Sequence, residues 1–436
     1  MKPYVCRTLP ENCRFAVSVP GSKSMTNRAL LLGALAKGKT VLKGVLFSED
    51  SRVFMQALKT IGYEIEIKEE EKMVIIEGLG GEIPGDGETM RRVYVGSAGT
   101  AARFLTAFLA LSGKSFLMES SEQMKVRPMK PLLEALEALG VEFEYLDKPY
   151  AFPFQIGGKK EKHPERVELN IDQSSQFLSA LLLSGVMCRE GITIHLTGTR
   201  DAKAYVTISM KMMAEFGCET EQLDENTYRV MPGQQYKAGE YQIEPDVSAA
   251  CYFYAIAAIT GNEGKVMHVH SSTTQGDIRF LEVLEKMGCS RREEEDGIVV
   301  TGPSSGRLKG VRVKMTDFSD QTMTLAAIAP FADGDTVIDG VGHIRGQESD
   351  RIRGIVTELR RMGVCCEERE DGITIHPGVV KPCTIQTYED HRMAMAFAVT
   401  GCRAAGIQIA DPKCCKKTFE NYFEVLTNLD LITNIE

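Results

Sequence analysis

Five helix-like segments of this chain end in the same way. QALKTIG, EALEALG, MMAEFG, EVLEKMG and TELRRMG put their last glycines at Gly62, Gly140, Gly217, Gly288 and Gly363, with gaps of 78, 77, 71 and 75 residues. A period of that length constrains the fold strongly, because every copy must bury its apolar faces in an equivalent way. Apolar residues at i, i+3 and i+4 give each segment one apolar stripe, and the glycine stops it as a left-handed cap. Two strand-like stretches around an acidic turn usually follow, as in YEIEIKEEEKMVIIEG and CSRREEEDGIVVTG.

A second series interleaves with the first. FAVSVPGSKS, RVYVGSAGT, VELNIDQSSQ, YQIEPDVSA, VKMTDFSDQ and IQTYEDHR each run from a strand-like stretch into a polar cluster and then an Ala/Leu-rich helix. Their markers Ser24, Thr100, Ser174, Asp246, Asp320 and Asp390 are spaced by 76, 74, 72, 74 and 70 residues. The unit therefore reads strand, helix, strand, helix, strand, strand, and it occurs six times. The sixth copy ends with its second helix, FENYFEVLTNL, and the N-terminal KPYVCRTLPENCRF is expected to return and supply its missing strands.

Six βαβαββ units predict an α/β fold of two domains of three units each, with a cleft between them. The chain crosses near 20 and again near 240–245, giving residues 21–243 as one domain and 1–20 plus 244–436 as the other. A solenoid that only binds would carry interchangeable residues at equivalent positions. Here the residues at equivalent helix starts differ sharply between copies, as in a converging site.

Composition narrows the function classes. The chain has 436 residues, 43% hydrophobic and 25% charged, which is ordinary for a soluble globular protein. No apolar run approaches the roughly 18 residues of a membrane helix, and MKPYVCRTLPENCRF has no signal-peptide core. A cytoplasmic protein without membrane contact is expected. The net charge of −9 argues against a nucleic-acid partner. Twelve scattered cysteines lack zinc spacing and read as free, mostly buried thiols.

Helix N-termini offer unpaired N–H groups and partial positive charge, so they bind anions. In the first three units the side chains there are cationic, hydroxyl or amide: Lys23, Ser24, Arg28, Thr100, Arg103, Arg127, Ser174, Ser175 and Gln176. In the last three they mix carboxylates with cations: Asp246, Asp277, Asp320, Glu348, Asp350, Arg351, His391, Arg392 and Lys417. One half is suited to phosphate, the other to acid–base work and a second anion. Each cluster alone reads as capping or a surface ion pair; six at matching positions do not. His391 reads as structural or positioning, since carboxylates already cover the base.

PGSKSMTNRALLLGALA, GSAGTAARF, VRPM, SSQFLSALLL, ESDRI, EDHRMAMAFA and CCKKTF together resemble the 5-enolpyruvylshikimate-3-phosphate (EPSP) synthase family over essentially the whole chain. The resemblance implies two inside-out α/β domains that close on substrates, and a monomer that works without metal or organic cofactor. It implies enolpyruvyl transfer from phosphoenolpyruvate to shikimate 3-phosphate. Lys23, Gly99, Arg127, Gln176, Arg351, Arg392 and Lys417 match positions that bind the donor. Lys23, Ser24, Arg28, Ser174, Ser175, Gln176, Tyr205 and Asp320 match positions on the acceptor side. Asp320 and Glu348 match the carboxylates of proton transfer, and Lys23, beside other cations, is a further candidate.

Three positions depart from the family pattern, all on the acceptor side. Gln347 stands where lysine is common, His343 where asparagine is common, and Ala202 where a serine often binds phosphate. Arg345, His343 and Lys203 are the candidates to replace the missing cation. Phe104 follows the GTAAR motif where a proline is frequent, and is expected to shift that helix and the response to glyphosate-like inhibitors. An enolpyruvyl transferase with a different acceptor, and a non-catalytic scaffold, are the alternatives. The sister transferase acting on UDP-N-acetylglucosamine fits less well, because residues 114–130 carry no cysteine and Ser24 follows the lysine. RNA 3′-phosphate cyclase, of related architecture, is disfavoured by the acidic net charge.

Overall fold

In the computed structural model the chain is described at residues 2–10, 13–85, 90–159, 164, 166–199, 203–305 and 307–429. It divides into two compact units, Gly21–Ile243 and Met1–Pro20 with Glu244–Glu436.

The unit Gly21–Ile243 is built around three helices: α1 (Lys23–Leu35), α2 (Gly99–Leu111) and α3 (Gln176–Ser184). Beyond their polar starts their sequences are largely apolar, and all thirteen residues of α2 are buried. Helices without a polar face belong in the middle of a domain. The other unit repeats the arrangement with α4 (Val247–Thr260), α5 (Thr322–Ile328) and α6 (His391–Gly401), and all eleven residues of α6 are buried. Amphipathic helices pack farther out. Glu49–Ile61 buries Phe54, Met55, Leu58 and Ile61, and Arg351–Arg361 buries Ile352, Ile355, Val356 and Leu359.

Among the described residues each unit carries three sheets, five of the six being four-stranded with one repeated topology. In the sheet of Arg91–Tyr94, Phe116–Glu119, Phe154–Lys159 and Val141–Tyr145, the first pair is parallel and the other two pairs antiparallel. A parallel pair needs a helical crossover, while a hairpin joins the last two strands, which is the βαβαββ pattern. The alternating burial of Met73–Leu79, with Val74 and Ile76 inward, puts one sheet face on the core.

Two strands sit elsewhere than the simple repeat suggests. Arg14–Val17 runs parallel to Glu263–Met267, whereas Glu240–Gln242 runs parallel to Lys37–Lys43. The first strand of copy one thus completes the sheet of copy four, and the reverse. Both crossings, after Pro20 and after Ile243, follow the first strand of a copy, so that strand stays in the unit the chain is leaving. The parallel edge slots are equivalent, which makes the exchange sterically possible. The N-terminal Tyr4–Val5 closes the sixth sheet against Ile407–Ile409, and Tyr4 packs on Phe423 with ring centroids 4.5 Å apart.

Gly62, Gly140, Gly217, Gly288 and Gly363 all have φ between 77° and 108°, so the shared sequence ending is a shared cap. Among the described residues no helix is long and apolar enough to cross a membrane, and no cysteine is disulfide-bonded.

Candidate active site

The starts of α1, α2 and α3 gather the polar residues of the first unit. Lys23 is the first residue of α1 and lies 3.6 Å from Asp50 at the start of the next helix. Gly99 opens α2. A Cβ there would fall 2.7 Å from Arg127 Nη2 and 2.9 Å from Arg103 Nη1, so the missing side chain makes room for two guanidinium groups. Arg127 is fixed by a 3.1 Å hydrogen bond to the Ser97 carbonyl.

Gln176, first in α3, links the second and third copies. Its Oε1 accepts from Arg103 Nη1 at 2.6 Å, and its Nε2 donates to Thr100 Oγ1 at 3.2 Å. Arg103 also donates to the Pro128 carbonyl and lies over the Phe177 ring. Burial, and then the charge of Arg127, push its guanidinium well below the usual range. Ser174 Oγ accepts from the Gln176 backbone N–H, and Ser175 occupies the N-cap position of α3.

Arg28 is buried rather than displayed. Its guanidinium donates to Ser209 Oγ at 2.8 Å, Ser24 O at 2.9 Å, Ser179 Oγ at 3.1 Å and Tyr205 O at 3.2 Å. Burial lowers its pKa to about 10. Arg28 therefore holds Ser24 and Tyr205 by their backbones, with Phe104 beneath it at 5.4 Å. Ala202 and the side chain of Lys203 lie outside the described residues.

The second unit places three carboxylates among three cations. Asp320 stands in the turn Thr316–Gln321 leading into α5, where its Oδ1 accepts from Arg351 at 3.2 Å and its Oδ2 from Arg392 at 2.7 Å. Asp390 caps α6 and is wholly buried. It accepts from Arg351 Nε at 2.8 Å, from Ser349 Oγ at 3.1 Å and from the Arg392 backbone N–H at 2.9 Å. Burial is the largest influence on the Asp390 pKa and acts to raise it, but the Arg351 charge and hydrogen bond together with the His391 charge hold the carboxyl below its usual range. Glu348 Oε2 shares a 3.0 Å hydrogen bond with His391 Nδ1 and lies 3.6 Å from Lys417 Nζ.

The residues at the departures from the family pattern are tied into this network. Gln347 Oε1 accepts from Arg351 Nη1, and His343 Nε2 hydrogen-bonds Ser319 Oγ at 2.8 Å. Arg345 is committed to Asp350 at 3.1 Å and Glu368 at 3.0 Å. Glu348, Asp390 and His391 have the donor set of a metal site, yet Arg351 and Lys417 already meet their charge.

Sequence reasoning marked the cations and the carboxylates Asp320 and Glu348, but did not identify Asp50 and Asp390 as partners. Asp50 carried no signal beyond standing at a helix start, and Asp390 served only to mark a period. Which carboxylate meets which cation is a tertiary fact, and no spacing along the chain encodes it.

The chain is similar to known proteins over most of its length. The family profile described as EPSP synthase (3-phosphoshikimate 1-carboxyvinyltransferase) matches residues 9–426. A 3-phosphoshikimate 1-carboxyvinyltransferase of Trichormus variabilis is 44% identical over 407 residues, 93% of this chain and 94% of that protein. The chloroplastic enzyme of the same name from Brassica napus is 38% identical over 95% of this chain and 82% of its own length. The solved EPSP synthase of Acinetobacter baumannii superposes with a TM-score of 0.81 at 26% identity, covering 98% of each chain.

Proposed function

The chain belongs to the EPSP synthase family, and from that premise we propose that Asp320 is the base that takes the proton of the acceptor's 5-hydroxyl. The enzyme is a carboxyvinyl transferase that moves the enolpyruvyl group of phosphoenolpyruvate onto shikimate 3-phosphate. Lys23, Gly99, Arg127, Gln176, Arg351, Arg392 and Lys417 serve the donor's phosphate and carboxylate. Ser24, Ser174, Ser175, Gln176 and Tyr205 serve the acceptor, with Arg28 bracing Ser24 and Tyr205 from behind.

The observation that carries this reading is the double hold on Asp320 by Arg351 and Arg392. A carboxylate with two charge-assisted donors is a weak base, each bond being worth roughly 1.5–3 kcal/mol. When the anionic donor draws the same arginines, Asp320 loses both and its basicity rises. It is then ready to take the hydroxyl proton as the acceptor oxygen bonds to the donor's central carbon. The methylene carbon gains a proton from the group formed by Glu348, His391 and Lys417. The tetrahedral intermediate afterwards returns one methyl proton to that group and expels phosphate, restoring the double bond. A positioned acid or base typically contributes about 10²–10⁴-fold. Gln347 keeps Arg351 oriented while it changes partner.

Purified protein incubated with phosphoenolpyruvate and shikimate 3-phosphate should release phosphate together with a product of the combined mass less phosphate. Asp320→Ala should abolish both signals while still binding phosphoenolpyruvate. Donor binding without product from the wild type would reject the acceptor, and an active Asp320→Ala would reject the base.

A further inference from the structure

A carboxylate close to Asp320 takes no part in the chemistry above. Asp277 sits in the turn Gly276–Arg279, which packs against α4 and against the turn Thr316–Gln321 that carries Asp320. It is 7% exposed. Ser248 Oγ donates to its Oδ2, and Cys251 Sγ lies 3.5 Å from its backbone carbonyl. Its Oδ1 is buried and has no hydrogen-bond partner among the described residues. Gln321, next to Asp320, donates to the Ser248 carbonyl at 3.5 Å, and Arg279 pairs with Asp317 at 2.6 Å. The two turns are thereby tied together, one carrying the base and the other this second acid.

A buried carboxylate oxygen without a donor is costly, whereas the same oxygen bearing a proton is neutral. The groups facing it decide which form is favoured. Asp320 and Asp246 disfavour ionisation, while Arg392 and the Ser248 hydroxyl favour it. Cys251 and Tyr252 stand on α4 with thiol and phenol made less acidic by burial, so they supply no charge. Burial and then the Asp320 charge prevail, raising the Asp277 pKa to about 7.

We infer that Asp277 is a positioning residue that holds a proton beside Asp320, adding no further negative charge there, so that Asp320 stays ionised as base while Arg392 turns to the donor. Below neutral pH the proton remains on Asp277 through the cycle, and no bond forms or breaks there. The inference rests on Asp320 being the base. It assigns Asp277 a charge-setting role distinct from proton transfer to substrate.

The test uses ¹³C-carboxyl NMR of aspartate-labelled protein together with donor kinetics at pH 6 and pH 8. One carboxyl resonance should titrate near neutrality in the wild type and be missing from Asp277→Asn. In Ser248→Ala, which keeps the acid but removes a bond favouring its ionised form, that resonance should titrate at higher pH. Ionisation of Asp277 adds a negative charge near Arg392 and weakens donor capture. The ratio of the phosphoenolpyruvate KM at pH 8 to that at pH 6 should therefore be about three- to tenfold larger in wild type than in Asp277→Asn. Ionisation of the substrate itself affects both proteins equally and cancels.

Equal ratios, or a near-neutral resonance that persists in Asp277→Asn, would overturn the inference. In Asp320→Asn the Asp277 titration should fall to lower pH, since its like-charged neighbour is gone. Turnover surviving in Asp320→Asn would reject the base alone, while an unmoved Asp277 titration there would reject the coupling alone.

Discussion

Gly99 is where one missing carbon matters most. Alanine there would press on Arg127 and Arg103, whose guanidinium atoms lie within 3 Å of the added Cβ. Arg127 can yield only by leaving the Ser97 carbonyl. Loss of one charge-assisted contact to the donor corresponds to about a tenfold rise in the phosphoenolpyruvate KM, with a smaller change in kcat. Steady-state kinetics of Gly99→Ala would check this, and an unchanged KM would place Arg127 outside the donor site. Asp390 poses a different residue-scale question, because it is buried with its carboxylate directed at Arg351, Ser349 and the start of α6. Asp390→Asn leaves Arg351 with one fewer counter-ion, and breaking a buried pair costs roughly 3–5 kcal/mol. Urea denaturation should read that loss near neutral pH. The folded-state pKa of Asp390 is depressed, so its stabilisation is present above the ordinary aspartate pKa of about 3.9 and fades as pH falls through the folded value. The variant should accordingly show a shallower loss of stability in acid than the wild type.

The caps are what made the elements readable. Gly62 follows the helix Glu49–Ile61 with φ of 108°, and its N–H closes the last turn on the Leu58 and Lys59 carbonyls. An L side chain in that region costs about 1–2 kcal/mol, and a Cβ would also meet Pro84 at 3.0 Å. Gly62→Ala should lower stability by about that amount while kcat per folded molecule stays at the wild-type value, since the cap lies on an outer helix. Thermal melts alongside activity would show it; a fall in kcat would mean that this helix also orders the Lys23–Asp50 pair. The period, the caps and the amphipathic stripes are all local, which is why helices such as Glu49–Ile61 and Arg351–Arg361 were legible. The expected crossings near 20 and 240–245 already separated Arg14–Val17 and Glu240–Gln242 from the copies they begin, but which sheet each completes was not legible, because the two strands fit equivalent edges and only the full three-dimensional path decides between them. The same holds for Arg28. Its place in the motif was visible, but its inward turn toward Ser179 and Ser209 depends on helices some 150 and 180 residues away along the chain.

At the scale of the whole molecule, a protein of net charge −9 must hold small, highly anionic substrates. Its cations are paired locally, with Arg351, Arg392 and Lys417 set against Asp320, Asp390 and Glu348. The long-range charge of the molecule is screened over about 8 Å at physiological ionic strength, so these close pairs dominate what a bound anion meets. On the proposed assignment binding is an exchange of partners: the donor competes with Asp320 for Arg351 and Arg392, while Asp390 keeps Arg351 anchored throughout. An exchange has a consequence that simple attraction lacks. Replacing Asp320 by asparagine removes the competitor and leaves the arginines in place, so phosphoenolpyruvate should bind more tightly even as turnover is lost. One released charge-assisted contact, at roughly 1.5–3 kcal/mol and partly regained by the amide, predicts a Kd lower by about three- to tenfold. Calorimetry of phosphoenolpyruvate with wild type and Asp320→Asn would measure it directly. Weaker binding to the variant would mean that Asp320 orients the arginines for the donor rather than competing with it, and the base would then have to gain its strength from the acceptor side alone.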